Sequence, residues 1–261
     1  MVNISLFKII KNTFMNPKEL WKVTALTRGK AIKLFFLTAL IMSIPYALDS
    51  VNDLRTIGND MGKIAERIPA FVIEDGEIKF ETDLDRPFIS KTNTVTLFIN
   101  SDQLNESNLI DKEVARVPIS LFLEQTKLIF KTPQQSFEFN YDLFEGLSDA
   151  FFKTIMNQFN NLSFFTLLPI LIVSFLAGII ETGVQVLLLT MMVNIYALLS
   201  RLQLPFSLNL KFVMVASFIP VSIFSLMNSF SIYPNSQLIL ISILTLYFYH
   251  IGVVKHLKEN L

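Results

Sequence analysis

The sequence predicts a membrane α-helical bundle of four spans, with both termini cytoplasmic and an extracytoplasmic α+β insert domain between spans 1 and 2. Three observations predict it. Of 261 residues, 52% are hydrophobic and only 17% are charged, too apolar for an ordinary soluble chain of this length. The net charge of zero conceals a partition: residues 49–160 hold 19 acids and 11 bases, a net of −8, while the remainder holds 3 acids and 11 bases, a net of +8. Long stretches are nearly free of charge, with Lys33 alone in 31–48, Glu181 alone in 162–200 and none in 212–254. Because basic residues are retained on the cytoplasmic side of a bilayer, this charge placement also sets orientation.

Residues 1–30 form a cytoplasmic amphipathic segment. Leu6, Phe7, Ile10 and Phe14 recur at helical spacing around Lys8 and Lys11. That pattern reads either as a helix lying on anionic lipid headgroups or as one packed on the bundle. Pro17 ends it, and Trp21, the single tryptophan, stands where an interfacial anchor belongs. Span 1 covers 31–48. Lys8, Lys11, Lys18, Lys22, Arg28, Lys30 and Lys33 precede or begin it and hold the N-terminus inside. A preceding basic region this long, with Pro45-Tyr46-Ala47 as a poor cleavage site, reads as an uncleaved signal anchor.

The insert, 49–160, begins as helix. Val51, Leu54, Ile57, Met61, Ile64 and Ile68 keep a period near that of a helix until Pro69 stops it. Strands follow at 70–74 and 77–81, joined by Asp75-Gly76, whose glycine tolerates the positive φ of a hairpin turn. Further strands are expected at 95–100, 118–123, 127–131 and 135–141. In the last, Phe137, Phe139 and Tyr141 alternate with Glu138 and Asn140, which places the aromatics on one face, expected to be core. Asp83 and Asp85 lack the glycine-containing loop of a calcium hand and read as solvated surface.

Residues 161–200 are the segment on which topology turns. As a hairpin they give two minimal spans around a turn at Gly178–Gly183; as one helix they extend roughly 58 Å and cross once. Only the single long span 2 keeps Arg201, Lys211, Lys255 and Lys258 inside, so it is the expectation. A cytoplasmic loop at 201–211 leads to span 3 at 210–229, with Pro220 in its interior. A polar turn containing Tyr233, Pro234 and Asn235 precedes span 4 at 236–254, and 255–261 is a cytoplasmic tail. Tyr247, Tyr249 and His250 fall near the cytoplasmic end of span 4, as an aromatic belt does.

Chemistry is sparse. The chain has no Cys, and its two histidines, His250 and His256, are six apart, not the four of a helical metal pair. No nucleophile elbow, zinc-protease motif or phosphate-cradling glycine loop is present, and no basic stripe suits nucleic acid. No catalytic residue, metal ligand or cofactor is therefore expected, and the chain reads as a non-enzyme. Glu181 is the one acid in the apolar half, and a carboxylate at membrane depth marks an ion, proton or ligand path by default. On a helix Gly178, Glu181, Thr182 and Gln185 share an arc of roughly 160°. Glu181, Thr182 and Gln185 are thus the candidate intramembrane functional residues. Hydrogen-bonded glue between helices is the structural alternative, and Asn194, Asn228 and Gln237 read as polar contacts of that kind.

Asn16-Pro17-Lys18, the run Ile68-Pro69-Ala70-Phe71 through Asp75-Gly76-Glu77, the strand pair at 118–131 and the terminal membrane block resemble a family of Gram-positive membrane proteins that carries only a domain-of-unknown-function label. Some members are named maltodextrose utilisation proteins, which implies sugar uptake. A more distant similarity is to the Yip-type membrane proteins, in which a basic loop precedes a proline-containing span, as Arg201 to Lys211 precedes Pro220 here. That similarity implies a role in organising membranes or partner proteins, and the large insert departs from it. The expectation is a multi-pass bacterial plasma-membrane protein, a non-enzymatic accessory, scaffold or regulatory component of the cell envelope. Its partners are the lipid bilayer and an envelope or transporter protein. The alternatives are a component of a sugar or lipid transport system using Glu181, and an extracellular ligand sensor.

Overall fold

The computed structural model describes residues 5–81, 88–99, 116–159 and 163–259. They form two compact units: a helical one, Met1–Ser50 with Leu168–Leu261, and a sheet-containing one, Val51–Leu167.

The helical unit starts with α1 (Leu6–Met15). Asn16 then takes an extended conformation and its side chain accepts from Lys18 N, which with Pro17 redirects the chain into a 3₁₀ segment, Pro17–Ala25. Ile9, Ile10 and Thr13 of α1 are buried while Phe7 and Phe14 are exposed, so one face of α1 packs on the bundle. Trp21 is half-buried, stacked on Phe212 at 5.9 Å and against His256 at 5.3 Å; it is a packing residue. Helix α2 runs Arg28–Ala65, with its residues to Ser50 in this unit. The remaining helices number in chain order α4 (Phe164–Leu199), α5 (Phe206–Ser229) and α6 (Gln237–Tyr249). A π-helical segment, His250–Lys255, and a last turn, His256–Glu259, continue α6. Among the described residues four helices are long and apolar enough to cross a membrane: Arg28–Ala65, Phe164–Leu199, Phe206–Ser229 and Gln237–Glu259.

Helix α4 is unbroken through Gly178 and Gly183, so the hairpin alternative falls away. Gly178 serves close approach instead: a Cβ there would lie 2.5 Å from Ala39 O and 3.1 Å from Ser43. Contacts between small residues are how apolar helices associate when solvent gives no hydrophobic drive. Polar side chains add register. Ser225 Oγ donates to Ile41 O of α2 and Lys211 Nζ to Leu26 O, two residues before α2, both at 2.7 Å, so α5 runs parallel to α2 and is tied to it and to the segment that leads into it. Asn209 donates to Asn194 Oδ1 (2.9 Å) and accepts from the fully buried Tyr249 hydroxyl (2.8 Å), joining α4, α5 and α6.

In the second unit the distal part of α2 packs on two sheets. Strands β1 (Phe71–Glu74) and β2 (Glu77–Phe80) pair antiparallel, with Asp75 at φ 57° and Gly76 at φ 73° as the expected turn. The Glu145 carboxylate accepts from both turn amides, Asp75 N at 2.9 Å and Gly76 N at 3.2 Å. The larger sheet has the order β3 (Phe88–Lys91), β4 (Val95–Ile99), β5 (Ile119–Leu123), β6 (Lys127–Lys131), β7 (Ser136–Asn140). The β4–β5 pair is parallel and the others antiparallel. Val95, Leu97, Ile99, Leu121 and Leu123 face Ile64 and Ile68, Phe71 and Ile73, and Phe152 and Met156 of α3 (Asp149–Gln158) in one core. Asp60, 3% exposed, accepts from Lys63 Nζ (2.8 Å), Thr94 N (3.1 Å) and Thr94 Oγ1 (2.9 Å). Burial pushes its carboxyl up, but the Lys63 ammonium and the Thr94 donors outweigh this and hold it below its ordinary value.

The aromatic face expected at the end of this unit is corrected. Phe137 and Phe139 are 47% and 39% exposed, and only Tyr141 is buried. The reason is position: β7 ends the order, so its side chains find only partial cover from Phe130 and Phe144. Asp83 and Asp85 lie outside the described residues.

Candidate functional site

Glu181 stands on the packed side of α4, where Gly178, Thr182 and Gln185 are buried and Glu181 is half-buried. The arc drawn from sequence is thus the face α4 turns to its neighbours. Side chains on a helix lean toward its N-terminus, so the Glu181 carboxylate reaches back toward the Phe164 end. There Tyr46 OH of α2 donates to Glu181 Oε2 at 2.6 Å. One turn further along α2, Asp49 accepts from Tyr233 OH at 2.8 Å. Tyr233 belongs to the turn between α5 and α6, and the Asp49 carboxylate beside it pushes its phenol above the ordinary value.

Asn228 closes α5 and Gln237 opens α6. With its amide nitrogen turned inward, Asn228 donates to Gln237 Oε1 at 3.2 Å and to Phe224 O at 3.3 Å. Two cavities adjoin through Glu181. One of about 170 Å³ is lined by Tyr46, Asp49, Glu181, Asn228, Tyr233 and Gln237 among others, and one of about 430 Å³ by Glu181, Gln185, Asn228 and Gln237 with apolar neighbours. Neither Asp49 nor Glu181 forms an ion pair with Lys, Arg or His among the described residues. Two carboxylates, each already accepting one phenol, retain lone pairs for a cation or for hydroxyl donors. Among the described residues no three His, Cys, Asp or Glu side chains gather to hold a metal ion.

The three sequence candidates separate. Glu181 and Gln185 line the same cavity, whereas Thr182 is buried and donates to Met42 Sδ, a wall residue of the smaller cavity, at 3.2 Å. Asn228 and Gln237 join the site, and Asn194 is an interhelical contact as expected. Tyr46, Asp49 and Tyr233 were missed. Helix counting could have found Asp49. Asp49 is 21 residues from Arg28, Glu181 20 from Arg201, Gln237 18 from Lys255 and Asn228 17 from Lys211. At 1.5 Å per residue all four lie roughly 25–30 Å from the bases of their own helices. Glu181 is therefore level with Asp49, Asn228 and Gln237, about the thickness of one bilayer core from the basic ends of their helices. Helix α4 continues past it toward Phe164, with Leu171, Ile172, Val173 and Leu176 exposed.

No curated protein and no solved structure matches the chain. A family model described as "Protein of unknown function (DUF1189)" matches residues 7–253. With a match of that extent, running from α1 to the π-helical segment after α6, the chain belongs to this family of proteins of unknown function.

Proposed function

We propose that the chain is a non-enzymatic accessory protein of the bacterial plasma membrane, crossing four times with both termini inside, and that its outer polar cleft recognises a cationic or hydroxyl-rich group on another envelope component. The observation that carries this reading is the pair of unneutralised carboxylates, Asp49 and Glu181, lining a cavity at one end of the bundle. Arg28, Lys30, Arg201, Lys211 and Lys255 collect at the opposite end of the same helices, which favours that end as cytoplasmic. The hydrogen-bonding groups around the cavity support a recognition role.

Co-purification in mild detergent tests the reading. The wild-type chain should retain a stoichiometric envelope partner, and the Asp49→Asn, Glu181→Gln double variant should lose it while remaining folded. A partner held equally by both proteins, or a wild type that purifies without one, overturns it. The second reading, a transport component for sugar or lipid, draws on the way the two cavities meet at Glu181. Full maltodextrin uptake by cells carrying Glu181→Gln would remove its basis for sugar.

A further inference from the structure

A second cleft, of about 720 Å³, lies between α2 and α5 with α4 as its floor. Its composition is graded. Arg28, Ser207 and Lys211 occupy one end, and the rest of the lining is apolar except for backbone at Gly183. The periodicity explains the grading: Arg28, Ile32 and Phe35 share one face of α2, and Ser207, Lys211 and Met214 share one face of α5. The parallel pairing of those helices brings both polar ends to the same height. Lys211 Nζ donates to Leu26 O, two residues before Arg28, which fixes the ammonium at the mouth and leaves two of its donors unused. Arg28 and Lys211 have no carboxylate partner among the described residues. Val186 and Met214 are buried in the wall, whereas Ile32, Phe36 and Leu187 are exposed along the rim, so the cleft opens sideways.

In a bilayer such a cleft does not stay empty. Its apolar lining offers water too few hydrogen-bonding partners, and a void forfeits dispersion contacts along the whole wall. The volume falls in the range of sites that take small organic ligands. From the apolar trough with a doubly cationic mouth we infer that it holds one acyl chain of an anionic phospholipid, with the phosphate between Arg28 and Lys211. Two cations at the level of the headgroups select for charge, and the trough selects for a chain. The site is independent of the polar cleft at the other end of the helices. Gly183 bears on it directly: a Cβ there meets nothing nearer than Phe35 Cζ at 4.0 Å, so a longer side chain grows into the cleft without striking backbone.

The experiment uses the full chain, delipidated in a neutral detergent and titrated with dioleoyl phosphatidylglycerol, dioleoyl phosphatidylcholine or soluble glycerol 3-phosphate. Bound lipid is counted by native mass spectrometry. The wild type should retain one phosphatidylglycerol with a preference over phosphatidylcholine of about thirtyfold, the scale expected for two cations beside an anionic headgroup. Arg28→Gln with Lys211→Gln should abolish that preference, and Lys255→Gln, which removes a base outside the cleft, should keep it. Gly183→Leu should lose the tightly held lipid of either headgroup; Ile32→Trp, at an exposed rim position, serves as the second occluding variant should Gly183→Leu not fold. The proposal is overturned by equal retention of the two lipids by wild type, by a preference that survives the double variant or falls equally in Lys255→Gln, or by lipid binding untouched in the occluded chains. Equivalent binding of glycerol 3-phosphate also overturns it, because the site then reads a phosphate and not a lipid.

Discussion

Replacing Gly178 by Ala tests the closest contact in the helical unit. The added Cβ lies 2.5 Å from Ala39 O and 3.1 Å from both Ser43 N and Ser43 Cβ, against a comfortable separation of about 3.5–4.0 Å. The shortfall of about 1 Å falls mainly on the backbone of α2, which has no rotamer to turn aside, so α2 and α4 must part. Overpacking of that kind costs about 1–3 kcal/mol. A Cβ 2.5 Å from a backbone oxygen places the cost in the upper part of that range, about 2–3 kcal/mol; exchanging Gly for Ala inside a helix returns about 1 kcal/mol, leaving a net loss of about 1–2 kcal/mol. For a chain of this size the melting temperature should fall by about 2–8 °C. Gly183→Ala is the matched control, because its nearest neighbour, Phe35 Cζ, is 4.0 Å away. It carries the same gain in helix propensity with no clash, so its melting temperature should hold or rise. The assay is thermal unfolding of both variants in one detergent, followed by circular dichroism. Equal melting temperatures for the two would refute the argument, since they differ only in what the new carbon meets.

Three further outcomes follow from the same contacts. Tyr46→Phe and Glu181→Gln should be non-additive in stability by about 1 kcal/mol, because each removes part of one 2.6 Å bond; additive losses would show that the bond is not maintained. Asp60 should contribute stability that is fully present above its ordinary pKa of 3.8 and lost as pH falls through its lowered folded value. Acid titration of unfolding should therefore be steeper below about pH 4 in wild type than in Asp60→Asn. Gly76→Ala, at φ 73° with its Cβ 2.8 Å from Asp142 Oδ1, should destabilise the sheet-containing unit by about 1–3 kcal/mol, measured as a shift in denaturant midpoint.

The parts of this fold that were legible in sequence are those written in strong local rules. Charge-free length gave the apolar helices, Pro69 ended α2's pattern, and Asp75-Gly76 specified its hairpin because positive φ restricts the choice of residue. What stayed hidden depends on neighbours. Strand β3 is four residues long, too short to show a clear alternation; pairing with β4 makes it a strand. Phe137 and Phe139 alternate as core residues do, but alternation cannot reveal that β7 lies at an edge. The candidate site was half visible. Glu181 stands out in any hydropathy reading, whereas Asp49 and Tyr233 look like ordinary residues flanking a span until their heights along separate helices are compared.

The bonds from α5 to Ile41 of α2 and to Leu26, two residues before it, limit how α2 can move. Lys211 to Leu26 and Ser225 to Ile41 share nearly the same sequence offset, 185 and 184, and lie 14 residues apart along α5. Sliding α2 by half a turn, about 2.7 Å, carries Ile41 O out of reach of the short Ser225 side chain and stretches the Lys211 bond to Leu26. A piston stroke along the α2 axis is therefore opposed at two heights at once. Tilting or rolling the α2–α5 pair as one rigid strut strains neither bond, so any mechanical signal carried along α2 would travel as rotation.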